Sequence, residues 1–251
     1  MPCGLSAPSH VALHAAWGMA ALVGLASSAL AGDCRLALVL ALDVSASVDV
    51  REYDLQRRGL AAALVDPEVA RAFLSDQPVA VYVFEWASPS MQEPIMPDWL
   101  LVESEADLAR IASALLSHPR TGTNDRQRTT GIGAALIHAS TALAAASGCR
   151  ARTVDVSGDG RNNAGFDPRY VYSNYPFDDV TVNSLVVADP LAGESLAEEL
   201  TLWFRSNVLH GRHAFWLRAD GYEDFRRAMT AKLLRELETP VSGSPNAGSA
   251  G

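Results

Sequence analysis

No Gly-x-Gly-x-x-Gly or Gly-x-x-x-x-Gly-Lys-Ser/Thr loop follows a strand-like run in these 251 residues, and no Gly-x-Ser-x-Gly elbow occurs. Those absences remove the common nucleotide cradles and the serine hydrolase nucleophile. His118, His138, His210 and His213 show no metal-ligand spacing with one another or with cysteine, so nothing here reads as a nitrogen and sulfur zinc centre. Basic residues are outnumbered: 20 Lys and Arg stand against 29 Asp and Glu, a net charge of −9. No run of like charge exceeds a few residues, which argues against nucleic acid and anionic lipid as partners, since both reward clustered cations.

The first 31 residues lack Lys, Arg, Asp and Glu altogether. They carry the apolar stretch from Trp17 to Leu25 and the small-residue pattern Ala29-Leu30-Ala31, which reads as a secretory signal peptide cleaved after Ala31. Only the amino terminus, His10 and His14 stand in for the usual positive region, so a retained anchor is the alternative. A lipoprotein is excluded by spacing, because Cys34 lies three residues past Ala31. No later apolar run reaches the roughly 20 residues that span a bilayer. The expected location is the periplasm or the cell exterior.

Of three cysteines, Cys3 leaves with the signal, and Cys34 and Cys149 remain in an oxidising compartment. Cys34 stands nine residues before Asp43 and Cys149 ten before Asp159, each at the start of a strand-like segment. Parallel neighbouring strands put such starts side by side, so a Cys34–Cys149 disulfide is expected over two buried thiols.

About half of the sequence, 49%, is hydrophobic, enough for one sizeable core. One domain is expected over 32–239, with a polar tail at 240–251 that its composition marks as disordered. Arg35 to Leu42 is a continuous apolar run ending in Asp43, as in a strand buried on both faces. A helix follows through Val65, and Pro67 interrupts before a shorter one through Phe73. Val79 to Trp86 reads as a strand and Ile95 to Val102 as an antiparallel edge strand. Ser104 and Asp107 suggest a capping box opening a helix to Leu116; a second helix runs from Gly131 to Ala146. Arg152 to Val156 is a strand, followed by a loop of about 20 residues of the length that usually serves function. Val180 to Val187 and Ala214 to Leu217 read as strands, Leu196 to Phe204 and Tyr222 to Leu237 as helices. This alternation predicts an α/β fold: a doubly wound, mainly parallel sheet flanked by helices, with one antiparallel edge strand. Ligands in such sheets sit beyond the carboxyl ends of the strands, where strand order reverses.

Asp43-Val44-Ser45-Ala46-Ser47 sets three oxygen side chains at alternate positions just past the first strand. A carboxylate and two hydroxyls are hard donors suited to Mg²⁺, Mn²⁺ or Ca²⁺ and poorly suited to zinc. Two more segments reach the same rim: Thr129-Thr130-Gly131-Ile132-Gly133-Ala134-Ala135-Leu136 starts a helix, and Ser157-Gly158-Asp159-Gly160 ends a strand. From Cys34 to Leu237 the chain resembles the von Willebrand factor A family. Its metal-ion-dependent adhesion site combines an Asp-x-Ser-x-Ser loop, a Thr before a Gly-x-Ala-Leu helix start, and an Asp-Gly after a central strand. The resemblance implies the Rossmann-like fold of that family, no enzymatic activity, and a divalent cation, Mg²⁺ first among the candidates, on Asp43, Ser45, Ser47, Thr130 and Asp159. It also implies a protein partner that offers a carboxylate to the cation. Thr129 competes with Thr130 for its place. Within the family the chain looks most like exported bacterial members of unassigned function.

The loop after Asp159 brings Arg161, Asn162, Asn163, Tyr170, Tyr172, Tyr175 and Phe177 near that rim. Arg161, Asn162, Tyr170 and Tyr172 are the candidate partner-binding residues, since tyrosine-rich rims are typical of recognition surfaces. Alternatively the rings pack the loop onto its own sheet and the asparagines only turn the chain. Glu85 and Trp86 border the site or pack the core. Arg120, Arg126 and Arg128 attract an acidic ligand or lie in a solvated loop. The rival function is a metal-dependent hydrolase or phosphatase using Asp43; a phosphatase of the haloacid dehalogenase type carries a second acid two residues on, and Ser45 stands there instead.

Overall fold

The computed structural model describes Met1 and residues 34–120 and 129–238. The expected signal peptide at 1–31, the tail at 240–251, Arg126 and Arg128 lie outside the described residues.

β1 (Cys34–Asp43) is central, and its sequence explains why. Leu36, Leu38, Leu40 and Leu42 enter one apolar core, while Ala37, Val39 and Ala41 enter another on the opposite face. The leucine face packs with α1 (Val50–Leu64), α2 (Pro67–Phe73), α3 (Glu105–Ser117) and α7 (Phe225–Glu238). The smaller residues make room for α4 (Ile132–Ala145), α5 (Pro168–Asn174) and α6 (Glu194–Asn207). A strand buried on both faces is the parallel, helix-covered kind.

β2 (Val79–Trp86) and β5 (Cys149–Gly158) flank β1 in parallel, and β6 (Val180–Ala188) and β7 (Trp216–Asp220) extend the sheet beyond β5. From β1 the chain passes first to one neighbour and later to the other, so strand order reverses between β1 and β5. The seven strands form one sheet.

Several expectations shift. The edge is split: β3 (Gln92–Pro94) and β4 (Leu100–Val102) both run antiparallel to β2, one at each of its ends. Two prolines, Pro94 and Pro97, take ladder donors out of this segment, which explains the break between the pieces. The long loop after β5 holds α5, a seven-residue helix with Asp167 as its N-cap and Pro168 at its first position. β5 starts three residues earlier than its apolar pattern suggested, and β7 starts two residues later and ends three later than expected. Ser104 makes no capping bond to its helix; its hydroxyl donates to Asp107 Oδ2 at 2.7 Å instead.

Cys34 and Cys149 are directly opposed in the β1–β5 register and are joined as a disulfide, with Cα atoms 4.6 Å apart. The same two strands carry Asp43 and, one residue past its end, Asp159 at their other ends.

Candidate functional site

Asp43 is wholly buried. Its Oδ1 accepts the Ser45 N–H at 2.7 Å, curling the chain as it leaves the sheet. Gln56 of α1 donates to the Asp43 carbonyl at 2.8 Å, and the Val48 N–H donates to the Ser45 carbonyl at 3.1 Å. At the far end of this loop Asp49 caps α1: it accepts the Glu52 N–H while Glu52 accepts the Asp49 N–H, both at 2.8 Å. Such a box contributes about 1 kcal/mol and fixes where the loop stops.

Within the loop, Ser45 Oγ and Ser47 Oγ are 3.2 Å apart, and Ser47 Oγ donates to Asp159 Oδ1 at 2.6 Å. Oxygens 112 residues apart in sequence therefore meet. Gly158 permits the approach, since a Cβ there would stand 3.1 Å from Asp43 Oδ2 and 3.5 Å from the Trp86 ring.

Thr130 is buried and Thr129 exposed, which separates the two candidates. The Thr130 N–H donates to Asn163 Oδ1 at 2.9 Å, the Asn163 N–H donates to the Thr130 carbonyl at 2.9 Å, and Asn163 Nδ2 lies 3.5 Å from Thr130 Oγ1. A Cβ on Gly160 would come within 3.5 Å of that Oγ1, so the threonine hydroxyl stands over the turn that carries Asp159. All five residues, Asp43, Ser45, Ser47, Thr130 and Asp159, thus gather at the reversal point between β1 and β5.

The electrostatics are unfavourable without a positive charge. Burial pushes the Asp43 carboxyl well above the usual range, and the nearby Asp159 charge pushes it further. Asp159 is raised by its own burial, with Ser47 partly offsetting this. Asp43 Oδ2 is buried without a hydrogen-bond partner. An orphaned carboxylate oxygen, a cradle that a Cβ would fill, and two acids among three hydroxyls together fit a hard divalent cation. Among the described residues no group of three or more His, Cys, Asp and Glu has the arrangement to hold a metal, so the hydroxyls are needed.

The rim is more varied than expected. Arg161 pairs with Glu199 at 2.5 Å beside a groove lined by Asp159, Asp189, Leu196 and Leu200. Asn162 Oδ1 accepts the Gly133 N–H at 3.2 Å, holding the start of α4. Tyr170 is exposed and stacks on exposed Phe166 with ring centroids 4.8 Å apart. Tyr172 turns inward: it stacks on His210, meets Phe177 edge-on, and donates its hydroxyl to the Val208 carbonyl. It fastens the loop to the segment that follows α6. Trp86 is buried beneath the site, and Glu85 accepts the Tyr53 hydroxyl at 2.6 Å. Arg120 donates to the Val48 carbonyl and lies over the Tyr53 ring.

Sequence reasoning missed three residues beside the site. Asn163 reads as a turn residue but holds Thr130; an Asn-Asn pair just after Asp-Gly was the available signal. Gln56 looks like the polar face of α1. Tyr222, whose buried phenol lies beside Asp159 without completing a hydrogen bond, is 63 residues downstream and carried no signal.

A family model described as a protein of unknown function, DUF1194, matches residues 33–241. No curated protein matches the chain. Among solved structures, proximal thread matrix protein 1 from the mussel byssus, with a zinc-occupied metal-ion-dependent adhesion motif, superposes with a TM-score of 0.53 at 17% identity, over 82% of this chain and 48% of that one. The von Willebrand factor type A structure from Catenulispora acidiphila gives 0.51 at 13%, over 81% and 43%. The open pilus adhesin SpaC from Lactobacillus rhamnosus GG gives 0.55 at 14%, over 81% and 30%. The chain spans about half the length of these structures or less. At such identities the likeness is one of fold, and the fold is that of the von Willebrand factor A domain.

Proposed function

We propose a function from the premise that the chain belongs to the DUF1194 family and has the von Willebrand factor A fold: an exported, non-enzymatic binding module, one domain over 32–239, that engages an acidic group on a protein partner through a divalent cation. The observation that carries this reading is the convergence of Ser45, Ser47 and Asp159 oxygens beside the buried, half-unsatisfied Asp43 carboxylate.

Asp43, Ser45, Ser47, Thr130 and Asp159 would hold the ion. When bound, it supplies a positive centre with a position open to a partner's carboxylate. With two acids and three neutral hydroxyls, the protein offsets the charge of a dication and does not exceed it. Arg161, Tyr170 and the groove beside Asp159 lie on the rim where a partner would rest. Mg²⁺ suits these donors best; the mussel protein carries zinc in its motif, so zinc belongs in the titration. The Cys34–Cys149 bond supports an oxidising compartment, periplasmic or extracellular, reached through the expected signal peptide. Among the described residues no helix is long and apolar enough to cross a membrane. The hydrolase reading loses ground because Asp43, its would-be nucleophile, is wholly enclosed with one oxygen spent on Ser45.

The test is thermal unfolding of the chelated protein across Mg²⁺, Mn²⁺, Ca²⁺ and Zn²⁺. A native-state ligand at a hundred times its Kd contributes about 2.7 kcal/mol, or about 5–10 °C for a chain of this size. Asp43→Ala should abolish the rise. Asp43→Asn should abolish it too, while raising the melting temperature of the chelated form by roughly 2–4 °C, because it removes a buried charge that only the cation compensates. An unchanged melting temperature at millimolar metal for all four ions sinks the proposal. Asn163→Ala should leave the fold intact and weaken cation affinity by about ten- to a hundred-fold, as loss of a group that orients a ligand does; isothermal titration reads this directly.

A further inference from the structure

Lys232 is the only lysine in the chain; every other residue in the basic total of 20 is arginine. It is wholly buried on α7, where it meets two acids. Nζ lies 2.7 Å from Asp155 Oδ1 on β5 and 2.6 Å from Glu236 Oε1, one helical turn on. Asp155 and Glu236 are themselves 1% and 5% exposed. Arginine serves elsewhere even when buried, as Arg35 shows, so a need for charge does not explain the exception. A primary amine does what a guanidinium cannot: on losing a proton it becomes a nucleophile.

The surroundings suit that chemistry. Asp155 sits in register between Leu40 of β1 and Asn183 of β6. Its contact with Lys232 has the distance of an ion pair but not the angles of a hydrogen bond, and both its oxygens are buried without a hydrogen-bond partner. Asn183 donates to Glu236 Oε1 at 3.0 Å, leaving Glu236 Oε2 buried and unpartnered. The Phe215 ring lies 5.2 Å from Nζ. Two acids and one amine out of contact with water are poorly compensated as ions. Burial pushes the Asp155 carboxyl above the usual carboxylate range, with Lys232 partly offsetting this, a shift toward the neutral, electrophilic acid.

We propose that Lys232 and Asp155 join in an intramolecular amide, formed by the chain itself with Glu236 as the proton carrier. One proton moves from Nζ to the Asp155 carboxylate, giving amine and acid. The Nζ lone pair forms a bond to Cγ; Glu236 takes a proton from the nitrogen and delivers it to the departing hydroxyl. The Cγ–O bond breaks and one water leaves. Overall an ammonium and a carboxylate become an amide and water, Glu236 ends as it began, and no oxidant, reductant or cofactor enters. The new bond ties β5 to α7. With the disulfide it closes two consecutive, non-overlapping loops, Cys34 to Cys149 and Asp155 to Lys232.

The sequence makes the test clean. Trypsin cuts after Arg152, Arg161, Arg227 and Arg235, so the cross-linked full-length chain, reduced and denatured, should release 153–161 joined to 228–235, uncut at Lys232 and lighter than the two peptides by one water. Lys232 should then resist acylation by an amine reagent in denaturant. Lys232→Arg should lose both the branched peptide and the missing water; a water still missing at this place would overturn the assignment. Glu236→Gln, checked for folding by circular dichroism, should form the bond at least about a hundred-fold more slowly, and undiminished formation would remove Glu236 from the reaction. Wild-type chain of full mass that trypsin cuts at Lys232, or that carries the acyl group at Lys232 when the reagent is applied before digestion, would show an ordinary ion pair and end the proposal, whatever the variants do.

Discussion

Reducing the Cys34–Cys149 bond, or replacing both cysteines by alanine, is expected to lower stability by about 4–5 kcal/mol. The bond closes a loop with a sequence separation of 115, and the entropy it removes from the unfolded chain grows with loop length. Its residues face each other in register, with Cα atoms 4.6 Å apart, so the folded strands need not distort to accept it. For a chain of this size the melting temperature should fall by roughly 10–15 °C. Thermal unfolding of oxidised, reduced and Cys34→Ala/Cys149→Ala protein measures this, and the last two should agree. A loss below about 1 kcal/mol would mean that the unfolded chain already holds β1 and β5 together, or that the bond strains them. The site should feel the change as well, because the staple fixes at one end the register that joins Asp43 to Asp159 at the other.

Gly133→Ala should be comparably damaging, at about 3 kcal/mol, by a different cause. A Cβ at this position would stand 2.0 Å from the Phe166 carbonyl oxygen and 2.8 Å from its carbon. Those are backbone atoms, so no rotamer change relieves the collision, and overpacking of this kind costs 1–3 kcal/mol or somewhat more. Helix propensity alone predicts the reverse, since alanine is favoured over glycine by about 1 kcal/mol in a helix. The sign of the measured change therefore decides between propensity and packing. Phe166 would have to withdraw, and with it the segment through Asn162 and Asn163 that holds Gly133 and Thr130. The cation response should weaken alongside stability; a variant as stable as the wild type would refute the close approach of α4 to this loop.

Local chemistry made much of this molecule legible. The leucine-rich run of β1 and the sharp stop at Asp43 show a buried strand delivering an acid to a loop, and alternate Ser45 and Ser47 place their hydroxyls nearby because the loop is only a few residues long. The α5 helix was not legible, since seven residues show no apolar period and only Asp167-Pro168 signals a start. The split between β3 and β4 was half visible: the prolines were plain, but which part of the segment keeps its ladder bonds depends on where β2 lies. Tyr172 could not be told from Tyr170 by type, and burial separates them.

By itself the sequence determined what near neighbours along the chain decide: the strands and most helices, the Asp-x-Ser-x-Ser loop, and the cysteine spacing that sets two parallel strands level. The tertiary structure decided what depends on distant segments meeting. It set Thr130 rather than Thr129 over the Asp159 turn, made Asn163 its anchor, and enclosed the lone lysine with Asp155 and Glu236. An acid within an apolar strand and a lysine on a helix each look unremarkable along the chain; burial changes their chemistry only when the fold withdraws both from water into one small space.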